Sequence, residues 1–156
     1  MKFSPLTLLV LKENAIKVKE ILNTDHIFTT EISIQTPNSP TYYLNEFGVD
    51  DTLINSSSFL LQLKEHGIAY NLEWESMGHI KEGRRILRFM PNGDPIFKAL
   101  SSEDDRILID ELLNCGSDLH ALQELIFNRD QKRSILPWTN QVEYGQRYRT
   151  VKLITP

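Results

Sequence analysis

Ile68-Ala69-Tyr70-Asn71-Leu72-Glu73-Trp74-Glu75 alternates its side chains, with Ile68, Tyr70, Leu72 and Trp74 falling on one side. Successive side chains of a strand point to opposite faces, so this octet predicts a strand with one buried and one wet face. Soon after it come Arg84 to Met90 and Pro95 to Leu100, separated by Pro91-Asn92-Gly93-Asp94. Asn-Gly between two apolar runs favours a tight turn. The pair therefore reads as a β-hairpin, with Ile86, Leu87 and Phe89 meeting Ile96 and Phe97 on an apolar face. A wet-faced strand beside a hairpin predicts an antiparallel sheet.

Upstream, Ile27 to Ile34 alternates with Phe28, Thr30, Ile32 and Ile34 on one face, which predicts a half-buried strand. Thr36-Pro37-Asn38-Ser39-Pro40 is a loop, and the class of the segment holding Tyr42, Tyr43, Leu44 and Phe47 stays open. Asp50 or Asp51 could cap a helix over 52–66 that exits at Gly67, with Ser58 as a second starting point. At the N-terminus, Leu6-Thr7-Leu8-Leu9-Val10-Leu11 runs into Ala15, Ile16, Val18, Ile21 and Leu22, which have helical spacing. Ser4 as cap and Pro5 in the first turn then predict a helix over 5–22.

Downstream, Ser101 to Asp105 supplies a cap for a helix carrying Ile107, Leu108, Leu112 and Cys115, and Gly116 ends it. Ser117-Asp118 starts another, with Leu119, Leu122, Ile126 and Phe127 on one face. So short a connection predicts an antiparallel αα-hairpin. The stretch 128–146 reads as an irregular loop or extension, and Arg147 to Ile154 as a closing strand. The order fits one α+β domain over residues 1–156, a mostly antiparallel sheet packed with about four helices.

The composition agrees with an ordinary globular domain: 156 residues, 40% apolar and 24% charged. That length buries roughly 70% of the unfolded surface, enough for a core without staples. A single cysteine, Cys115, rules out an intrachain disulfide framework and any multi-cysteine metal site. The first apolar run is closed by Lys12 and Glu13 and lacks a small-residue cleavage site, so it does not read as a secretory signal. No stretch approaches the ~18 apolar residues of a membrane span. A cytoplasmic location with no membrane partner is expected.

The net charge of −4 is unevenly distributed. Residues 1–75 hold five lysines, no arginine and ten acids, whereas 76–156 hold all eight arginines and four lysines against eleven acids. Arg129, Lys132, Arg133, Arg147 and Arg149 surround Trp138, Tyr144 and Tyr148, a grouping suited to a protein interface, where arginine and aromatics anchor partners. Arg84, Arg85 and Arg88, with Lys81, form a second group that could contact phosphates. The same arginines could instead lie along the sheet and pair with Asp104, Asp105, Asp110 or Glu111.

Catalytic signatures are missing. The sequence contains no phosphate-binding loop, nucleophile elbow or zinc-protease helix. His120 and Glu124 share a helix face but are too few for a metal site, and Asp130-Gln131-Lys132 lacks a partner carboxylate. Glu73 and Glu75 could pair as acids but suit a solvated strand face, and Cys115 suits a small buried apolar position. Trp74 belongs with the core face, whereas Trp138 could pack down or anchor a partner. No catalytic residue, metal or cofactor is assigned. The sequence favours a protein-binding module of adaptor, inhibitor or immunity, or chaperone type, with a homodimer possible. Nucleic-acid binding through the arginines is the alternative. A third reading is an enzyme assembled from distant groups such as His66, His79 and His120.

Overall fold

The computed structural model describes residues 6–22, 29–35, 37, 42–49, 57–76 and 81–154. Six strands form one sheet: β1 (Leu6–Leu11), β2 (Thr29–Ile34), β3 (Tyr42–Val49), β4 (Tyr70–Trp74), β5 (Gly83–Phe89) and β6 (Pro95–Ser101). Their spatial order is β2-β3-β1-β4-β5-β6, and each neighbouring pair is antiparallel. Among the described residues five α-helices accompany them: α1 (Ala15–Leu22), α2 (Ser57–Glu65), α3 (Ile109–Cys115), α4 (Leu119–Arg133) and α5 (Trp138–Ile154). The chain is a single α+β domain. Its first four strands and two helices follow the β-α-β-β-α-β plan, in which β3 is inserted between β1 and β2.

The predicted helix over 5–22 is corrected by this arrangement. Residues 6–11 form β1, and only Ala15–Leu22 is α-helical. A strand bonded on both edges and covered on its face needs no polar alternation. Leu6, Leu8 and Val10 are fully buried between β3 and β4. A short 3₁₀ turn, Lys12–Asn14, then converts strand into helix. Ser4, Pro5, residues 27–28, Asn38 to Pro40, Asp50, Asp51 and His79 lie outside the described residues.

The strand within the octet, Tyr70–Trp74, and the hairpin after it are found, but the hairpin's apolar residues are split between two faces, with Ile86 and Ile96 opposite Leu87, Phe89 and Phe97. Tyr70, Leu72 and Trp74 share the helix-covered face with Leu87 and Phe89, because the register pairs Tyr70 with Leu87 and Trp74 with Gly83. The hairpin turn closes through Met90 N–H to the Asp94 carbonyl at 2.8 Å, with Gly93 at φ +95°. Gly67 exits α2 in the left-handed region. Val18 of α1 and Phe59 and Leu63 of α2 close the core against Leu8, Phe47 and Leu72.

Two further expectations are corrected at the C-terminal end. The stretch 128–146 is not irregular, since α4 runs to Arg133 and α5 starts at Trp138. The predicted strand over 147–154 is the last part of α5. Only 134–137 connects the two helices. This connector crosses the sheet face opposite α1 and α2, where Ile135 and Leu136 lie over Ile86 and Ile96. Among the described residues no helix is long and apolar enough to cross a membrane.

Candidate functional site

The aromatic and basic residues of the second half hold the fold together. Trp138 and Tyr144 pack on the hydrophobic core, and Tyr144 stacks on Phe89 with ring centres 4.8 Å apart. Arg88 is 3% exposed. Its guanidinium lies 3.9 Å from the Trp138 ring centre and donates to the carbonyls of Leu136, Tyr70 and Leu87. As placed, Arg88 offers nothing to an external phosphate. Strand alternation also separates its neighbours, putting Arg85 on the face opposite Arg84 and Arg88. Arg84 pairs with Asp105 at 3.0 Å, and Arg85 lies 5.9 Å from the Trp74 ring centre.

Arg129 and Lys132 point inward from α4. Arg129 donates to the carbonyls of Glu103 and Arg106 and pairs with Glu111, while Lys132 pairs with Asp104 at 2.5 Å. Hydrogen bonds from Lys132 and from the Ser101 backbone hold the Asp104 carboxyl below its usual range. The Leu108 backbone N–H and Arg129 do the same for Glu111. Lys98 donates to the carbonyls of Gln131 and Ser134 at the end of α4. The αα-hairpin is thus fastened to the sheet mainly by charged hydrogen bonds. Arg147 pairs with Glu143 within α5, and Tyr148 and Arg149 lie further along the same helix.

Among the described residues the acid and base candidates lie on separate elements. His66 follows α2, and His120 stands exposed on α4 with Glu124 at 3.3 Å. Burial pushes the Tyr70 phenol up to about 12, with Arg85 opposing, which removes it from neutral acid–base chemistry. Among the described residues no three His, Cys, Asp or Glu side chains are placed to hold a metal ion. An open cleft of about 560 Å³ does gather Glu73, Trp74, Glu82, Arg84, Ser102 and Asp105. Apart from Glu73, these groups already have partners. Arg84 engages Asp105, and the Ser102 hydroxyl bonds Glu82 and depresses its carboxyl.

The exposed feature that the sequence did not reveal is the α3–α4 hairpin. Twelve large apolar side chains of the described residues are exposed, and seven of them lie between 108 and 127. Ile109 and Leu113 are 74% and 71% exposed, Leu119 and Phe127 66% and 63%, and Leu108, Leu112 and Ile126 are the others. Neither helix buries a single residue. Leu119, Ile126 and Phe127, read above as a packing stripe, stand in solvent. The signal was present in Ile109 and Leu113, which add apolar chains on a second side of a seven-residue helix.

No known protein family, curated protein or solved structure matches the chain.

Proposed function

We propose that this chain is a small cytoplasmic protein-binding module, of adaptor, inhibitor or chaperone kind, and that its contact surface is the α3–α4 hairpin. The observation that carries the reading is the concentration of seven exposed large apolar side chains on two adjacent helices and the N-cap of the first. Single exposed leucines are ordinary on a surface, but a cluster of this size on a monomer marks an interaction site. The hairpin is held in place at its base by Arg129, Lys132 and Lys98, so it presents its apolar chains on a fixed support. Trp138 and Arg88 support the same reading indirectly, because their mutual packing secures α5 rather than offering an anchor.

A photo-crosslinking amino acid at Leu113 or Phe127, with Leu61 on α2 as an exposed control, tests the proposal in native lysate treated with nuclease. A single stoichiometric protein adduct from the hairpin positions and none from Leu61 is the expected result. Equal labelling from all three, or none, overturns it.

A further inference from the structure

The hairpin's charges are sorted by direction. Its bases Arg129, largely covered, and Lys132, half exposed, pair with Glu111 and Asp104. Its remaining carboxylates stay outside: among the described residues Asp110, Asp118 and Asp130 are exposed with no cation in ion-pair contact, and Glu124 pairs with His120. On a helix, residues three and four apart are surface neighbours. Asp130 therefore continues the Ile126 line by four positions, Glu124 precedes Phe127 by three, and Asp110 precedes Leu113 by three. Against these four carboxylates, Arg133 is the one arginine or lysine of the hairpin with no carboxylate in ion-pair contact among the described residues. The apolar chains thus carry an acidic border.

We infer that the hairpin takes a helical segment with an apolar stripe flanked by lysine or arginine. The inference rests on the docking surface proposed above and names its partner's chemistry. Area supports an occupant of this kind. A stable interface removes about 800 Å² from each partner. Aromatic side chains contribute roughly 150–250 Å² each when fully covered, and leucine and isoleucine somewhat less. Seven chains, each 43–74% exposed, supply an area of that order. Charge selects among occupants. A second copy would bring one acidic border against another, and like charges across an interface are unfavourable. A basic amphipathic helix meets carboxylates at its flanks and leucines along its stripe.

The test uses the full chain and two synthetic helical peptides with the same leucine stripe, one flanked by lysines and one by glutamates. Titration calorimetry should give the lysine peptide at least about tenfold tighter binding, with the difference shrinking at high salt. D110N/E124Q/D130N should reduce the preference to under about threefold while retaining the fold, read by circular dichroism. L113S/I126S, at exposed positions, should abolish binding of both peptides. If wild type binds both peptides alike and L113S/I126S binds neither, the surface stands and the charge preference is wrong. If L113S/I126S binds the lysine peptide as wild type does, the surface itself is wrong. A wild type that binds neither peptide, or that sediments as a dimer which L113S/I126S dissolves, overturns the inference.

Discussion

Gln141 bonds Phe89 through both arms of its amide. The Phe89 N–H donates to Oε1 at 2.9 Å, and Nε2 donates to the Phe89 carbonyl at 3.1 Å. Strand β5 reaches Phe89, but β4 begins at Tyr70 opposite Leu87, so no strand covers these peptide groups. A side chain from α5, fully buried, takes the place of the missing backbone. Gln141→Leu keeps the bulk and orphans both groups. At about 1–3 kcal/mol for each buried unsatisfied group, the expected loss is roughly 2–6 kcal/mol in urea unfolding. A loss below about 0.5 kcal/mol, the level of an ordinary surface change, would show that the amide is not needed there.

Arg88 and Trp138 make a second long-range bond between sheet and α5. The guanidinium has Trp138 on its face and three carbonyls at its edge. A lysine can place only a point charge there, so Arg88→Lys should destabilise by about 2 kcal/mol. A double-mutant cycle with Trp138→Leu should give a coupling of about 1 kcal/mol, the scale of a partly desolvated cation–π pair. Additive losses would mean that the two side chains act independently. Capture of a partner by the hairpin should be unchanged in Trp138→Leu, because that residue packs on the core.

These two contacts also mark the limit of what was legible. Local signals carried the β5–β6 hairpin, the alternation of β4 and the breaks at Gly67 and Gly116, since each depends on neighbours in sequence. β1 was read as helix because apolar Leu9 on its half-buried second face hides the alternation of Leu6, Leu8 and Val10, while α1 behind it supplied a helical period. The period of α5 was hidden differently. Its inward positions hold Trp138, Gln141 and Tyr144, and the glutamine is buried only because Phe89, 52 residues away, needs its amide. The candidate surface was misread for a related reason. An apolar helical stripe shows that a face seeks cover, not whether this chain supplies it.

Trp74 lies over Gly83 on the neighbouring strand. A Cβ at Gly83 would fall 2.7 Å from Cζ2 of the indole and 3.1 Å from the Leu100 carbonyl. The indole is also fixed beside that contact, where Nε1 donates to the Lys81 carbonyl at 2.8 Å. Gly83→Ala should therefore cost about 1–3 kcal/mol, the range for overpacking, and shift the tryptophan emission. Trp74→Leu in the same chain should remove most of that penalty. An alanine tolerated without loss or spectral change would mean that the indole moves freely aside.

The fastening of the hairpin should weaken in acid. Asp104 and Glu111 both have carboxyls depressed in the folded state, Asp104 chiefly by Lys132 and Glu111 chiefly by the Leu108 N–H. A carboxyl with a lowered folded pKa adds stability above its unfolded value, and that contribution disappears as the pH falls through the folded value. With ordinary values near 3.9 and 4.3, stability should be level above about pH 5 and decline below about pH 4. Hydrogen exchange can locate the change. Amides of α3 and α4 should lose protection between pH 5 and 3, after correction for intrinsic rates, while those of β1 and β4 keep theirs. Asp104→Asn removes one of the two groups, so its hairpin should start less protected at pH 6 and lose less on acidification. Equal acid sensitivity in wild type and Asp104→Asn would remove Asp104 from the account, leaving Glu111 and its contact with Arg129 as the acid-sensitive fastening.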